Sequence, residues 1–210
     1  MIKLVAFDLW DTLVYLEQGW KTFTQLKPLI SEVLTNKSFW REKVKPLYLF
    51  RNQDSPESFL ADLKEELNID LRSQSDNLHY QLDYDLANTQ LFEDAIPSLN
   101  ICHGRGKKLA IISNQCSFYK PSFSTLGLNN FFDFILFSCD LGYGKPDRRI
   151  YERLAIQSGL HPSEILVVGD NEQQDYQAPI RYGYNSLHLA RSKAMSNFQI
   201  RNLKEIADFI

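Results

Sequence analysis

A chain of 210 residues with 44% hydrophobic, 13% aromatic and 23% charged residues has ordinary globular composition, long enough for one large domain or a core with a smaller insert. Its formal net charge of −3, without long runs of like charge, offers no field suited to nucleic acid or anionic lipid, so a small anionic ligand must be met by local cations. The three cysteines, Cys102, Cys116 and Cys139, share no CxxC spacing and read as small buried hydrophobes in a reducing compartment, not as disulfides or zinc ligands.

The apolar run after the opening Met-Ile-Lys is too short for a signal peptide or a membrane span. A cytoplasmic protein with no membrane or nucleic-acid partner is therefore expected. That run, Leu4-Val5-Ala6-Phe7, ends in Asp8 and has the continuous apolar character of a strand buried on both faces. From about residue 15 to 92 no such run stands out, and helical spacing takes over. Phe59, Leu60, Leu63 and Leu67 share one face, and Leu78, Leu82 and Leu86 another. Aromatics crowd the first half of this stretch, at Trp20, Phe23, Phe39, Trp40, Tyr48 and Phe50, and read as its own packing. Strand-like runs return at 109–112, 134–137, 165–168 and, more weakly, 186–189. Helical stretches lie between them, 117–126 closed by Gly127 and 149–158 closed by Gly159. Helix then strand, repeated, predicts an α/β fold with a doubly wound parallel sheet. The core comprises residues 1–14 and 93–210, with an α-helical insert at 15–92. Three of the strands end on a polar residue: Asp8, Ser113 and Asp170. Ligand crevices in open α/β sheets lie outside the carboxyl ends of the strands, which is where these side chains would meet.

Four separated elements stand in order: Asp8-Leu9-Trp10-Asp11-Thr12-Leu13, Ser113-Asn114, Lys145-Pro146-Asp147, and Gly169-Asp170-Asn171 with Asp175. Together they resemble the four signature motifs of the haloacid dehalogenase superfamily, over essentially the whole chain. The long gap between the first two resembles the subgroup with a helical cap inserted there. The resemblance implies a hydrolase whose nucleophile is Asp8, a carboxylate that attacks phosphorus or carbon and splits one hard step into two. It implies that Ser113, with Asn114, hydrogen-bonds the bound oxyanion. Lys145 would neutralise the nucleophile and the developing charge. Asp8, Asp170 and the backbone carbonyl of Trp10 would hold Mg²⁺, with Asp175 supporting the site from behind.

The pattern is broken at Trp10. Phosphatases of the family carry a second Asp there, which protonates the leaving group and later activates water. Asp11, one step further, would point the opposite way and is expected to hydrogen-bond backbone in the turn after the strand. Losing a general acid forfeits on the order of 10²–10⁴ in rate and restricts a phosphatase to good leaving groups. Hydrolytic dehalogenation needs no such acid, and the 2-haloacid dehalogenases carry an aromatic at this place. Trp40-Arg41-Glu42-Lys43 resembles their cap segment, whose arginine meets halide and substrate carboxylate, and Tyr151 falls where they have a tyrosine. The intact Gly169-Asp170 argues the other way, as does Glu172 where those enzymes place an asparagine. A second strand-end carboxylate beside Asp8 calls for a cation. The expectation is a magnesium-dependent phosphatase of a small, anionic metabolite, working through an aspartyl-phosphate on Asp8. A metal-independent 2-haloacid dehalogenase using Trp10, Arg41 and Tyr151, and a degenerate binding protein of the same fold, are the alternatives. Monomer and homodimer both stay open.

Overall fold

The computed structural model describes residues 1–17, 29–30, 36–191 and 199–210; Trp20 and Phe23 lie outside the described residues. Strands β1 (Leu4–Phe7), β4 (Lys108–Ser113), β5 (Phe134–Phe137), β6 (Ile165–Gly169), β7 (Asn185–Leu189) and β8 (Gln199–Ile200) form one sheet. Their order is β5-β4-β1-β6-β7-β8, and every neighbouring pair is parallel. The edge strand β8, at two residues, is too short to show any period in the sequence.

The apolar strands divide their side chains between two layers, because successive residues of a strand face opposite sides. Leu4 and Ala6 pack with Ala110, Ile112 and Val167 against Ile150, Tyr151 and Leu154 of the helix Arg148–Ser158. Val5 and Phe7 pack with Leu109, Ile111 and Val168 against Leu99 and Cys102 of the helix Ala95–Gly104. Burial on both faces is why β1, β4 and β6 read as unbroken apolar runs. All three cysteines are free and buried, and burial raises each thiol's pKa.

Strands β2 (Val14–Leu16) and β3 (Thr89–Leu91) pair antiparallel, with Val14 opposite Leu91 and Leu16 opposite Thr89. This ribbon straddles both ends of the expected insert, and at three residues a side it carried no legible alternation. Between its strands the described residues are largely helical. Lys37–Phe39, Trp40–Val44 and Lys45–Leu49 run on without a break, followed by Pro56–Leu67 and Ser75–Ala87. Ser55 caps the longer Pro56–Leu67 helix by accepting from the Ser58 amide, and Asn68 ends it in the left-handed conformation. Its Phe59, Leu60 and Leu63 are fully buried, as the spacing required. The same apolar cluster takes in Val44, Leu47 and Tyr48 of the insert and Trp10, Cys116 and Tyr119 of the core, so insert and core share one interior. Polar ties reinforce it. Tyr119 Oη donates to Asp85 Oδ2 at 2.7 Å, and Ser138 Oγ to the Leu49 carbonyl at 2.7 Å. Gln53 and Ser117 exchange two bonds of 3.0 Å. The insert is thereby held over the ends of β4 and β5. Among the described residues no helix is long and apolar enough to cross a membrane.

Candidate active site

Because β4 and β6 flank β1, the residues at their carboxyl ends fall side by side. Asp8, Ser113 and Asp170 line one cavity of about 360 Å³ together with Trp10, Asp11, Asn114 and Gln115. Trp40, Lys45, Tyr48 and Leu49 of the insert form its opposite wall.

Lys145 lies beside Asp8, 3% exposed. Its ammonium donates to Asp8 Oδ1 at 2.7 Å and to Asp175 Oδ1 at 2.5 Å. Asp175 is fully buried, and its other oxygen accepts from the Asn171 amide at 3.1 Å. Its two oxygens thus orient Lys145 and the turn after β6. Two glycines make this closeness possible. A Cβ at Gly169 would collide with the Asp175 carboxyl, and one at Gly144 with the Asn114 side chain.

Asp8, Asp170 and Asp175 each present an oxygen within 4.8 Å of the others, and Lys145 supplies one positive charge among them. Burial pushes Asp170 up to about 7, the charges of Asp8, Asp175 and Asp11 adding to it and Lys145 opposing. Burial likewise raises Asp175 against the pull of Lys145. Burial alone would lower the Lys145 pKa, but Asp175 and Asp8 outweigh it and raise it. Hard oxygen donors crowded beyond the available positive charge suit a hard divalent cation, so this donor set fits Mg²⁺. Asp170 is itself well held, its amide donating to Thr12 Oγ1 at 3.2 Å and its carbonyl meeting His188 Nε2 at 2.9 Å.

Three consecutive side chains at the end of β4 carry buried polar atoms without a partner among the described residues: Ser113 Oγ, Asn114 Oδ1 and Gln115 Nε2. Asn114 is positioned by its amide, which donates to the Lys145 carbonyl at 2.7 Å and to Gln174 Oε1 at 3.1 Å. Unmet groups of this kind in a cavity wall await a ligand's polar atoms or water.

Trp10 stands on the cavity wall, its indole N–H donating to Gln115 Oε1 at 2.7 Å and its ring meeting Tyr119 edge-on. Asp11 departs from expectation. The strand ends at Phe7, so strict alternation no longer applies, and a left-handed φ of 59° leaves Asp11 lining the cavity. The turn is closed by the backbone, the Asp11 amide donating to the Val14 carbonyl at 2.7 Å. Partial burial, then the Asp8 charge, raises the Asp11 pKa.

Arg41 is exposed and does not line the cavity. Trp40 and Lys45, five apart across the wide π-turn Trp40–Val44, line the cavity, Val44 and Tyr48 are buried, and Arg41 lies on the exposed side of that turn. Tyr151 is likewise not on the wall. It is fully buried in the far layer, donating to the Gln174 carbonyl. Glu172 accepts from Gln177 in a separate surface hollow. Gln115, Lys45 and Gln174 line the cavity without having been singled out in the sequence. For Gln115 the only signal was its place directly after Ser113-Asn114.

The family of haloacid dehalogenase-like hydrolases matches residues 2–183. A mouse protein, haloacid dehalogenase-like hydrolase domain-containing protein 3, is 29% identical over 169 residues, covering 80% of this chain and 62% of its own length. The phosphoserine phosphatase of Thermus thermophilus is 27% identical over 123 residues, 55% of this chain and 49% of that protein. The chain thus spans less than two thirds of these curated relatives. Among solved structures, the HAD phosphatase of Thermococcus onnurineus superposes with a TM-score of 0.68 at 22% identity, over 99% of this chain and 97% of that one. The L-2-haloacid dehalogenase of Xanthobacter autotrophicus gives 0.66 at 18% identity, over 100% and 98%. These two likenesses concern the fold, and it is shared by a phosphatase and a dehalogenase alike. With the family match running from the first strand to the loop before β7, the chain belongs to the haloacid dehalogenase-like hydrolases.

Proposed function

We propose that this chain is a magnesium-dependent phosphatase of a small, anionic metabolite, acting through an aspartyl-phosphate on Asp8. The observation that carries the reading is the charge count around Asp8: three carboxylates within 4.8 Å of one another, with Lys145 as their ammonium partner. Even with Lys45 on the cavity wall, two ammoniums do not balance these carboxylates together with a phosphate dianion, which needs further positive charge to enter. Asp8, Asp170 and the backbone carbonyl of Trp10 would hold Mg²⁺, with Asp175 fixing Lys145 behind them. Bound there, the ion offsets a repulsion of about 4 kcal/mol per unit-charge pair about 4 Å apart at intermediate dielectric.

Asp8 attacks phosphorus with the carboxylate oxygen that Lys145 leaves free. Ser113 Oγ and the Asn114 side chain receive the transferred oxyanion, and Lys145 steadies the charge that builds on it. Trp10 donates its only polar hydrogen to Gln115, and no ionisable group occupies its position. On this reading the leaving group departs as its own anion, which favours aryl and acyl phosphates over alkyl phosphates, and Asp11 on the same wall is the group that would supply a proton instead. The names of relatives agree with phosphate chemistry, one being a phosphoserine phosphatase.

The dehalogenase reading keeps one observation in its favour, the aromatic at Trp10 on the cavity wall. The exposed Arg41 and buried Tyr151 speak against it. A paired screen decides between them: phosphate release from p-nitrophenyl phosphate and halide release from 2-chloropropionate, each with Mg²⁺ and with EDTA. Phosphate release that EDTA abolishes supports the proposal. Halide release indifferent to EDTA replaces it with the dehalogenase. Silence in both, with Asp8→Asn changing nothing measurable, leaves a binding protein.

A further inference from the structure

We infer that the side-chain amide of Gln115 is a specificity-determining donor for a carbonyl oxygen on the leaving group, so that the preferred substrates are acyl phosphates, the mixed anhydrides of carboxylic and phosphoric acid. This rests on the phosphatase reading above. The indole N–H of Trp10 only donates, so the Gln115 atom that faces it at 2.7 Å must be the carbonyl oxygen. That bond fixes the amide's orientation and commits the NH₂ group elsewhere. Gln115 is 1% exposed, lines the cavity beside Ser113, and its Nε2 has no partner among the described residues. A buried donor left unmet is costly, and a ligand acceptor would recover the loss.

Acyl phosphates meet this arrangement at two points. Asp8 Oδ forms a bond to phosphorus as the bridging P–O bond breaks, and its electron pair leaves with the carboxylate, shared over two oxygens. No proton is needed, so a tryptophan at the acid's position carries no penalty. Water then attacks the phosphorus of phospho-Asp8, restoring the Asp8 carboxylate and releasing inorganic phosphate, with the water proton passing to phosphate or solvent. Charge grows on the acyl carbonyl oxygen during the first step, and a fixed amide donor there acts more strongly in the transition state than before it. An aryl phosphate also leaves without an acid but has no acceptor at that place. The carbon side of the acyl group would face Trp40, Tyr48 and Leu49 across the cavity.

The test is calorimetric binding, with Mg²⁺ present, of phenacylphosphonate and 2-phenylethylphosphonate, which carry a CH₂ in place of the bridging oxygen, differ by one carbonyl and cannot be hydrolysed as phosphate esters. Wild type is expected to favour phenacylphosphonate by about tenfold, the worth of one well-placed hydrogen bond. Gln115→Met should bring the ratio of the two Kd values to about one. Trp10→Phe loses the same indole bond but keeps the amide, and should keep a ratio clearly above one. A wild-type ratio of one overturns the inference without any variant. Equal loss in both variants also overturns it, because Gln115 then only holds Trp10 in place. Turnover of p-nitrophenyl phosphate by wild type separates the two levels. Its absence sinks the phosphatase reading, and its presence with a wild-type ratio of one sinks the Gln115 assignment alone.

Discussion

Replacing Asp170 by asparagine should make the metal-free protein more stable while abolishing its response to Mg²⁺. Burial and the neighbouring carboxylates push this group from its ordinary 3.8 up to about 7. An acid whose folded pKa is raised binds its proton more tightly in the folded state. The stability it contributes is therefore full below about 4 and lost as pH rises through about 7. Ionising it in the fold costs at most about 4 kcal/mol. Solvent reaches Asp170 in part, so about half of that, roughly 2 kcal/mol, is the working figure. Asparagine keeps the shape without the charge. In EDTA at pH 8, Asp170→Asn should raise Tm by about 4–8 °C, taking about 2–4 °C per kcal/mol for a chain of this size. The gain should shrink steadily towards pH 4. Mg²⁺ should raise the wild-type Tm at pH 8 and leave the variant unmoved, since binding requires the ionised carboxylate. Thermal unfolding across pH 4–8, with and without Mg²⁺, reads all of this. A variant no more stable than wild type at pH 8 in EDTA, or equally stabilised at every pH, would refute the charge-crowding argument.

Lys145→Met removes the cation shared by two buried carboxylates and should destabilise the fold by about 3–5 kcal/mol in urea titration, with activity lost. Gly169→Ala, whose added methyl must displace the Asp175 carboxyl, should cost about 1–3 kcal/mol of stability and weaken Mg²⁺ binding measured by calorimetry. Across a series of phosphomonoesters, kcat/KM should fall steeply with the leaving group's pKa, because Trp10 supplies no proton. Asp11 is the control for that slope, since it lines the cavity. If Asp11→Asn makes the dependence steeper still, Asp11 donates the proton and the account of a site without a general acid is wrong.

The parallel sheet was readable because strands buried on two faces leave unbroken apolar runs, and because each ends on a polar residue that burial does not explain. Asp8, Ser113 and Asp170 converge for that reason alone: β4 and β6 flank β1. What stayed hidden lacked a period or depended on partners distant in sequence. The β2–β3 ribbon and β8 are too short to alternate, and they owe their pairing to tertiary contacts. Arg41 matched a motif by its neighbours, yet helical phase gives the cavity to Trp40 and Lys45. Tyr151 was equally consistent with a core position, and packing of the helix Arg148–Ser158 against the sheet put it there. Asp11 was misjudged because strand alternation was carried past the strand's end, into a left-handed turn. Gln115 becomes meaningful only through Trp10, 105 positions away in the chain.

Trapping the covalent species on Asp8 tests the central claim most directly. Wild-type protein mixed with p-nitrophenyl phosphate and Mg²⁺, quenched in acid and digested, should yield the peptide containing Asp8 heavier by one phosphoryl group. The adduct should vanish with EDTA and in Asp8→Asn. Turnover without that adduct, or Asp8→Asn retaining wild-type activity, would contradict the account, as would a carbon ester formed on Asp8 from 2-chloropropionate in EDTA.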